Sequence, residues 1–161
     1  DATLEGGYTF GQVPFPLLTV HRANQTFAYQ LNSYNMMNFL EFVSDRYASF
    51  TWVHHFMGIV FNRIPLLKKL KFREVASFKI LYGGVRDENN PSLNPNLFKY
   101  PTINGATTTF ALDPAKPYME ASFGVENIFN ILRVDFVKRL SYLDNPGISP
   151  YGIRTRFRFD F

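Results

Sequence analysis

The strongest constraint in this sequence is a two-residue alternation, because it dictates which side chains can share a face. In Ile153-Arg-Thr-Arg-Phe-Arg-Phe-Asp-Phe161 the odd positions are Ile153, Thr155, Phe157, Phe159 and Phe161, and the even ones are Arg154, Arg156, Arg158 and Asp160. Successive side chains of a strand point to opposite faces. One face of this segment is therefore apolar and aromatic, and the other carries the charges. A helix would mix the two sets around its circumference.

The preceding segments repeat the pattern and fix a hairpin. Met119, Ala121, Phe123 and Val125 share one face, with Glu120, Ser122, Gly124 and Glu126 opposite. In the next run, Leu132, Val134, Phe136 and Leu140 oppose Arg133, Asp135 and Arg139, and only Lys138 breaks the apolar side. Folding about a tight turn at Ile128–Ile131 sets Phe123 against Phe136 and Val125 against Val134. The same register sets Glu120 opposite Arg139 and Glu126 opposite Arg133. Each such pair contributes roughly 0.2–1 kcal/mol, and a one-residue slip would invert every face. Lys138 is expected to bend its long stem toward a polar boundary.

Further strands are expected at Leu4–Phe10, Leu17–Arg22, Met36–Val43, Tyr47–Phe61 and Arg73–Tyr82, about eight in all. Phe50, Trp52 and Phe56 share a face, as do Ala76, Phe78, Ile80 and Tyr82, with Glu74 an intruder on the second row. Helical periodicity is confined to Asn62–Lys71, where Pro65 suits a first helical turn. That stretch reads either as a capped surface turn or as an element lying at a lipid boundary, with Leu66, Leu67 and Leu70 beside Lys68, Lys69 and Lys71. A long polar connection, read as an extracellular loop, is expected at about residues 84–116, and one of intermediate length at Leu143–Gly152.

Alternation suits a soluble sandwich and a membrane barrel alike, so composition has to weigh in. Aromatic residues make up 17% and charged residues only 19%, against roughly 25% charged in a soluble domain. The chain is thus rich in rings and poor in solubilising charge. No apolar run approaches the roughly 18 residues of a membrane helix. Barrel strands, which alternate, keep a near-neutral mean hydropathy. A net charge of +4 is scattered rather than gathered in a stripe, which argues against nucleic acid. With no cysteine, disulfides and thiolate metal sites are excluded. Asp1-Ala-Thr-Leu4 resembles no signal peptide, so the chain reads as starting after processing or as a piece of something longer. The expected fold is all-β, an antiparallel transmembrane β-barrel segment spanning residues 1–161.

Several stretches resemble known families. The alternating aromatics ending in Phe157, Phe159 and Phe161 resemble the β-signal that marks outer-membrane proteins for assembly. Asn38-Phe-Leu-Glu-Phe-Val-Ser-Asp-Arg-Tyr47 resembles the region after the sixth extracellular loop of BamA-like (surface antigen) barrels, and Asn130-Ile-Leu-Arg-Val-Asp-Phe136 their penultimate periplasmic turn. Pro16–Gln25, Phe42–Tyr47 and Asn62–Lys71 are similar to an uncharacterised Bacteroidota outer-membrane family in which a carboxypeptidase-regulatory-like domain precedes a BamA-like barrel. The Arg-Gly-Phe/Tyr tip of the sixth loop is absent. The resemblance implies a barrel of about sixteen strands, of which this chain would supply the C-terminal half. It also implies an outer-membrane location and a structural, assembly or export role. The implied partners are the lipid bilayer, the outer-membrane assembly machinery and other outer-membrane or periplasmic subunits.

No catalytic set is legible. His54 and His55 are adjacent and must point to opposite faces, which defeats a shared metal. Glu120 and Glu126 stand roughly 20 Å apart along one strand, too far for a glycosidase pair. Gly6-Gly7 and Gly83-Gly84 precede no helix and form no phosphate loop. The expectation is therefore no enzyme, no cofactor and no metal. Glu120–Arg139 and Glu126–Arg133 are read as charge pairs facing a barrel lumen. Arg154, Arg156 and Arg158 either pair with neighbours such as Asp135 and Glu120 or line an anion-selective pore. The competing reading of the whole chain is a soluble small-ligand-binding β-barrel whose aromatic rows line a closed interior.

Overall fold

The computed structural model describes residues 1–103 and 105–157. Phe159, Phe161 and Arg158 lie outside the described residues.

The structure is all-β, mostly antiparallel, with one short α-helix among the described residues. Six strands form the main sheet: β1 (Ala2–Tyr8), β4 (Arg46–His55), β5 (Arg73–Gly84), β9 (Tyr118–Ile128), β10 (Leu132–Arg139) and β11 (Tyr151–Phe157). Each pairs antiparallel with the next in that order. The connections 9–45, 85–117 and 140–150 therefore share one end of the sheet. The connections 56–72 and 129–131 share the other. The sheet is not closed, and β1 and β11 are its two edges.

The hairpin register at β9–β10 sets Phe123 against Phe136, Val125 against Val134 and Glu120 against Arg139. It then shifts between Leu132 and Val134, where Asn127 takes a left-handed φ of 67° and adds a residue to the β9 side. Such a bulge leaves the extra residue unpaired and twists the strand. Glu126 consequently falls out of register with Arg133, while on its other side β9 sets Glu126 opposite Arg73 of β5.

Two of the expected eight strands shrink. Leu17–Arg22 yields only β2 (Thr19–Val20), and Met36–Val43 yields only β3 (Phe42–Ser44). These two pair with each other and, through β3, with β8 (Phe110–Ala111) in a small separate sheet. A further hairpin, β6 (Thr102–Ile103) with β7 (Ala106–Thr107), lies in the long connection. The reason for the shrinkage is tertiary. Residues 21–41 fold down over one face of the main sheet, where the backbone of Ser33, Asn35 and Met36 bonds to side chains and that of Phe27 and Tyr29 bonds to Thr155 at the β11 edge.

The core is correspondingly a seam between this segment and the sheet. Tyr34, Met37 and Phe42 pack with Leu81, Leu112 and Tyr118, and Tyr29 and Met36 pack on Val137. The opposite face of the sheet is bare over most of its extent among the described residues, and only the turn after β4 reaches it, at the short-turn end. Phe123, Phe136 and Ile153 are 54%, 51% and 62% exposed there, and Leu4, Tyr82 and Phe157 are exposed too. Lys138 also emerges on this face, opposite Ala121 and Tyr151.

Glu74 turns out to be no intruder. Its side chain is buried and accepts a hydrogen bond from the Val60 N–H at 3.0 Å and another from the Phe61 N–H. The connection after β4 thus folds back onto the uncovered face and is pinned there. It contains α1 (Pro65–Leu70), which ends at Lys71 in the left-handed region with φ 55°.

Candidate functional site

The covered face of the sheet carries the charges, and almost all of them are buried. Strand alternation brings Ser77 and Lys79 of β5, Glu120 and Ser122 of β9, and Arg133, Asp135 and Arg139 of β10 to the same side. Asp135 and Arg139 are 0% exposed, and Lys79 is 1% exposed. A buried charge costs several kcal/mol unless it is paired and hydrogen-bonded, and each of these is answered.

Arg139 makes the most extensive set of bonds. Its guanidinium donates to both oxygens of Glu41 at 2.6 and 2.8 Å, and to the carbonyls of Ser141, Tyr142 and Met36. The plane also sits 4.9 Å from the Tyr118 ring. The bidentate pairing uses the fork geometry peculiar to arginine. Glu41 belongs to the docked segment, so this pair is a clamp between segment and sheet. Asn145 donates a further bond to Glu41 at 2.8 Å.

Glu120 is the second clamp. Its two oxygens accept the backbone N–H groups of Asn35 and Met36 at 2.8 and 3.0 Å, and Tyr118 donates to it from 3.1 Å. Lys79 stands 3.8 Å away and donates to the carbonyls of Gln30 and Ser33. Tyr29 completes the contact. Its hydroxyl lies 2.6 Å from Ser77, which in turn lies 2.7 Å from Ser122, and the Arg133 guanidinium covers its ring at 4.5 Å. On β11, Arg154 donates to the Asn35 carbonyl at 2.8 Å.

The four charges read as two pairs from sequence share this face, but their bonds run elsewhere. Glu120 and Arg139 are opposite in register, yet Glu120 holds the backbone of the segment and Arg139 holds Glu41. Arg133 is bidentate to Asp135, two residues along its own strand, at 2.6 and 2.7 Å. Glu126 meets His55 at 3.0 Å. Room for the Arg133–Asp135 pair comes from Gly124, where a Cβ would lie 2.6 Å from an Asp135 oxygen. Phe157, of the terminal aromatic series, ends β11 exposed and opposite Leu132.

The two adjacent histidines point to opposite faces. His54 stacks on Trp52 of the uncovered face, with ring centroids 5.6 Å apart, while His55 turns to Glu126. Among the described residues no three histidine, cysteine, aspartate or glutamate side chains gather as a metal site would require. A cavity of about 340 Å³ opens at the short-turn end of the covered face, lined by Thr51, His55, Arg73, Glu126, Arg133 and Arg156.

Sequence reading missed Glu41 and His21. Glu41 shares its alternation face with Met37 and Phe39, and no local pattern announces a partner at Arg139. His21 Nε2 lies 2.7 Å from the Ser44 hydroxyl, both buried. Burial lowers the His21 pKa to about 4, with Glu5 opposing and Arg22 reinforcing the shift. A serine–histidine contact suggests nucleophile chemistry, but this one joins β2 to β3 inside the small sheet and is structural.

The family model of the C-terminal domain of a family of unknown function, DUF5686, matches residues 9–90, just over half of the chain. The chain belongs to that family. The matched residues contain the whole docked segment, with Asn35, Met36 and Glu41 by which it is clamped, and strands β4 and β5 beneath it, whereas Glu120 and Arg139 lie outside the match. No curated protein and no solved structure matches the chain.

Proposed function

We propose that this DUF5686 C-terminal domain is part of an outer-membrane β-barrel of the BamA-like type, acting without enzymatic chemistry as a structural, assembly or export component. One observation carries the reading: the sheet buries its charged face and leaves its aromatic face bare. Fully burying a Phe or Ile side chain gains about 1.5–3 kcal/mol over leaving it in water. A soluble protein forgoing that gain across a row of rings, while desolvating several charges, would be arranged against its own stability. In a bilayer the same arrangement is the favourable one, with the rings against acyl chains and the charges inside. Long connections at one end and a tight 129–131 turn at the other also suit such a barrel.

In this reading, residues 21–45 fill the barrel interior and are latched by Glu41–Arg139 and by Glu120. The missing barrel wall would be supplied by further strands at the free edge of β1 and beyond β11, whose edge Phe27–Tyr29 already occupies at Thr155. A sheet with exposed edges is an invitation to pairing, and closure removes them. The alternative of a soluble ligand-binding barrel needs the aromatic rows enclosed, whereas here they are outside. Carbonate washing of membranes from cells making the full protein tests the proposal. The protein should stay in the pellet until detergent is added; release into the wash defeats the barrel reading.

A further inference from the structure

The segment Met57–Arg73 has a feature that spanning a membrane does not require. It carries Arg63, Lys68, Lys69, Lys71 and Arg73 with no Asp or Glu among them. Met57, Ile59, Val60, Ile64 and Leu66 in the same stretch are exposed, Leu66 at 71%. A free surface turn gains nothing from presenting five aliphatic side chains to water. The position of the segment is also constrained. The buried Glu74 carboxylate holds the Val60 and Phe61 amides against the aromatic face, and Asn127 donates to the Lys71 carbonyl at 2.8 Å from the neighbouring turn. The segment is therefore fixed outside the sheet, at its short-turn end, continuous with the row His54–Phe56.

We infer that this segment is a binding site for anionic phospholipid headgroups in the leaflet that the short-turn end of the sheet reaches. The inference rests on the barrel reading and adds a lipid preference to it. Exposed aliphatic side chains interleaved with cations match the boundary between acyl chains and phosphodiesters. The four cations that precede β5, Arg63, Lys68, Lys69 and Lys71, supply the complement to a negative headgroup, while Arg73 stands in the sheet opposite Glu126. A free anion would satisfy the cations but leave the aliphatic side chains in water, which is why the leaflet is the better fit.

The test uses the full protein in mild detergent, mixed with equal amounts of phosphatidylglycerol and phosphatidylcholine, with retained lipids counted by native mass spectrometry. The wild type is expected to retain phosphatidylglycerol preferentially. An Arg63→Gln/Lys68→Gln/Lys69→Gln variant should lose that preference, by about fivefold for each cation removed. Lys68→Arg/Lys69→Arg, which keeps the charge, should retain it, as should Lys99→Gln in the long connection. Equal retention of both lipids by the wild type, or an undiminished preference in the glutamine variant, would overturn the inference. Neither result touches the barrel reading, whose failure shows separately as release in the carbonate wash.

Discussion

The two faces of the main sheet are made by the same strands, yet they differ in chemistry and in cover. On one, Lys79, Glu120, Arg133, Asp135 and Arg139 are buried beneath residues 21–45. On the other, Phe50, Trp52, Phe123, Phe136 and Ile153 have no protein above them among the described residues. The usual rule for a globular domain places rings inside and charges outside. Its reversal here fits the proposed bilayer setting, in which acyl chains would cover the aromatic face while the chain itself covers the charged one. The covered face should accordingly be intolerant of change and the uncovered one forgiving.

The comparison breaks first, if it is to break, at Arg139. Arg139→Met leaves Glu41 buried without its cation, and should cost about 3–5 kcal/mol in equilibrium unfolding. Replacing both partners by methionine should restore much of that loss, because no uncompensated charge remains. On the uncovered face Phe123→Leu, which keeps the side chain apolar, should cost under about 1 kcal/mol in the same measurement. Equal costs on the two faces would show that they are not different in kind.

A somewhat smaller effect sharpens where the docked segment is held. His21 is neutral in the folded protein because burial lowers its pKa from 6.5 to about 4. Unfolded His21 takes up a proton below about pH 6.5, so folding stability is complete above that value. It should decline as pH falls toward 4, by about 3 kcal/mol in total. Thermal unfolding at pH 7 and pH 5 should therefore differ in the wild type, and His21→Gln should flatten that part of the dependence. An unchanged slope in the variant would assign the pH sensitivity to other groups.

Much of the sheet could be read from residues alone, and for a definite reason. Period-two alternation is local, so Phe123–Phe136, Val125–Val134 and Glu120–Arg139 followed from placing like with like. The bulge at Asn127 was not legible, because a left-handed asparagine leaves no mark on the apolar pattern, and it takes Glu126 out of register with Arg133; the carboxylate meets His55 instead. The docked segment was not legible either. Its bonds join residues far apart in sequence, Asn35 to Glu120 and Glu41 to Arg139, and its own stretch has no periodicity to betray a face. Glu74 was misread for the opposite reason. It broke a pattern, and the cause was a turn folded over it from the preceding connection.

The central claim is that the bare aromatic rows contact acyl chains. Residues 1–161 contain no cysteine, so with any cysteine elsewhere in the full protein replaced by serine, spin labels can be placed singly at Phe123→Cys, Phe136→Cys and Ile153→Cys after bilayer reconstitution. Collision rates with oxygen, which concentrates in the bilayer, and with a water-soluble nickel chelate then report the surroundings of each position. The account predicts high oxygen and low nickel accessibility at all three; strong nickel accessibility with little oxygen contact would contradict it.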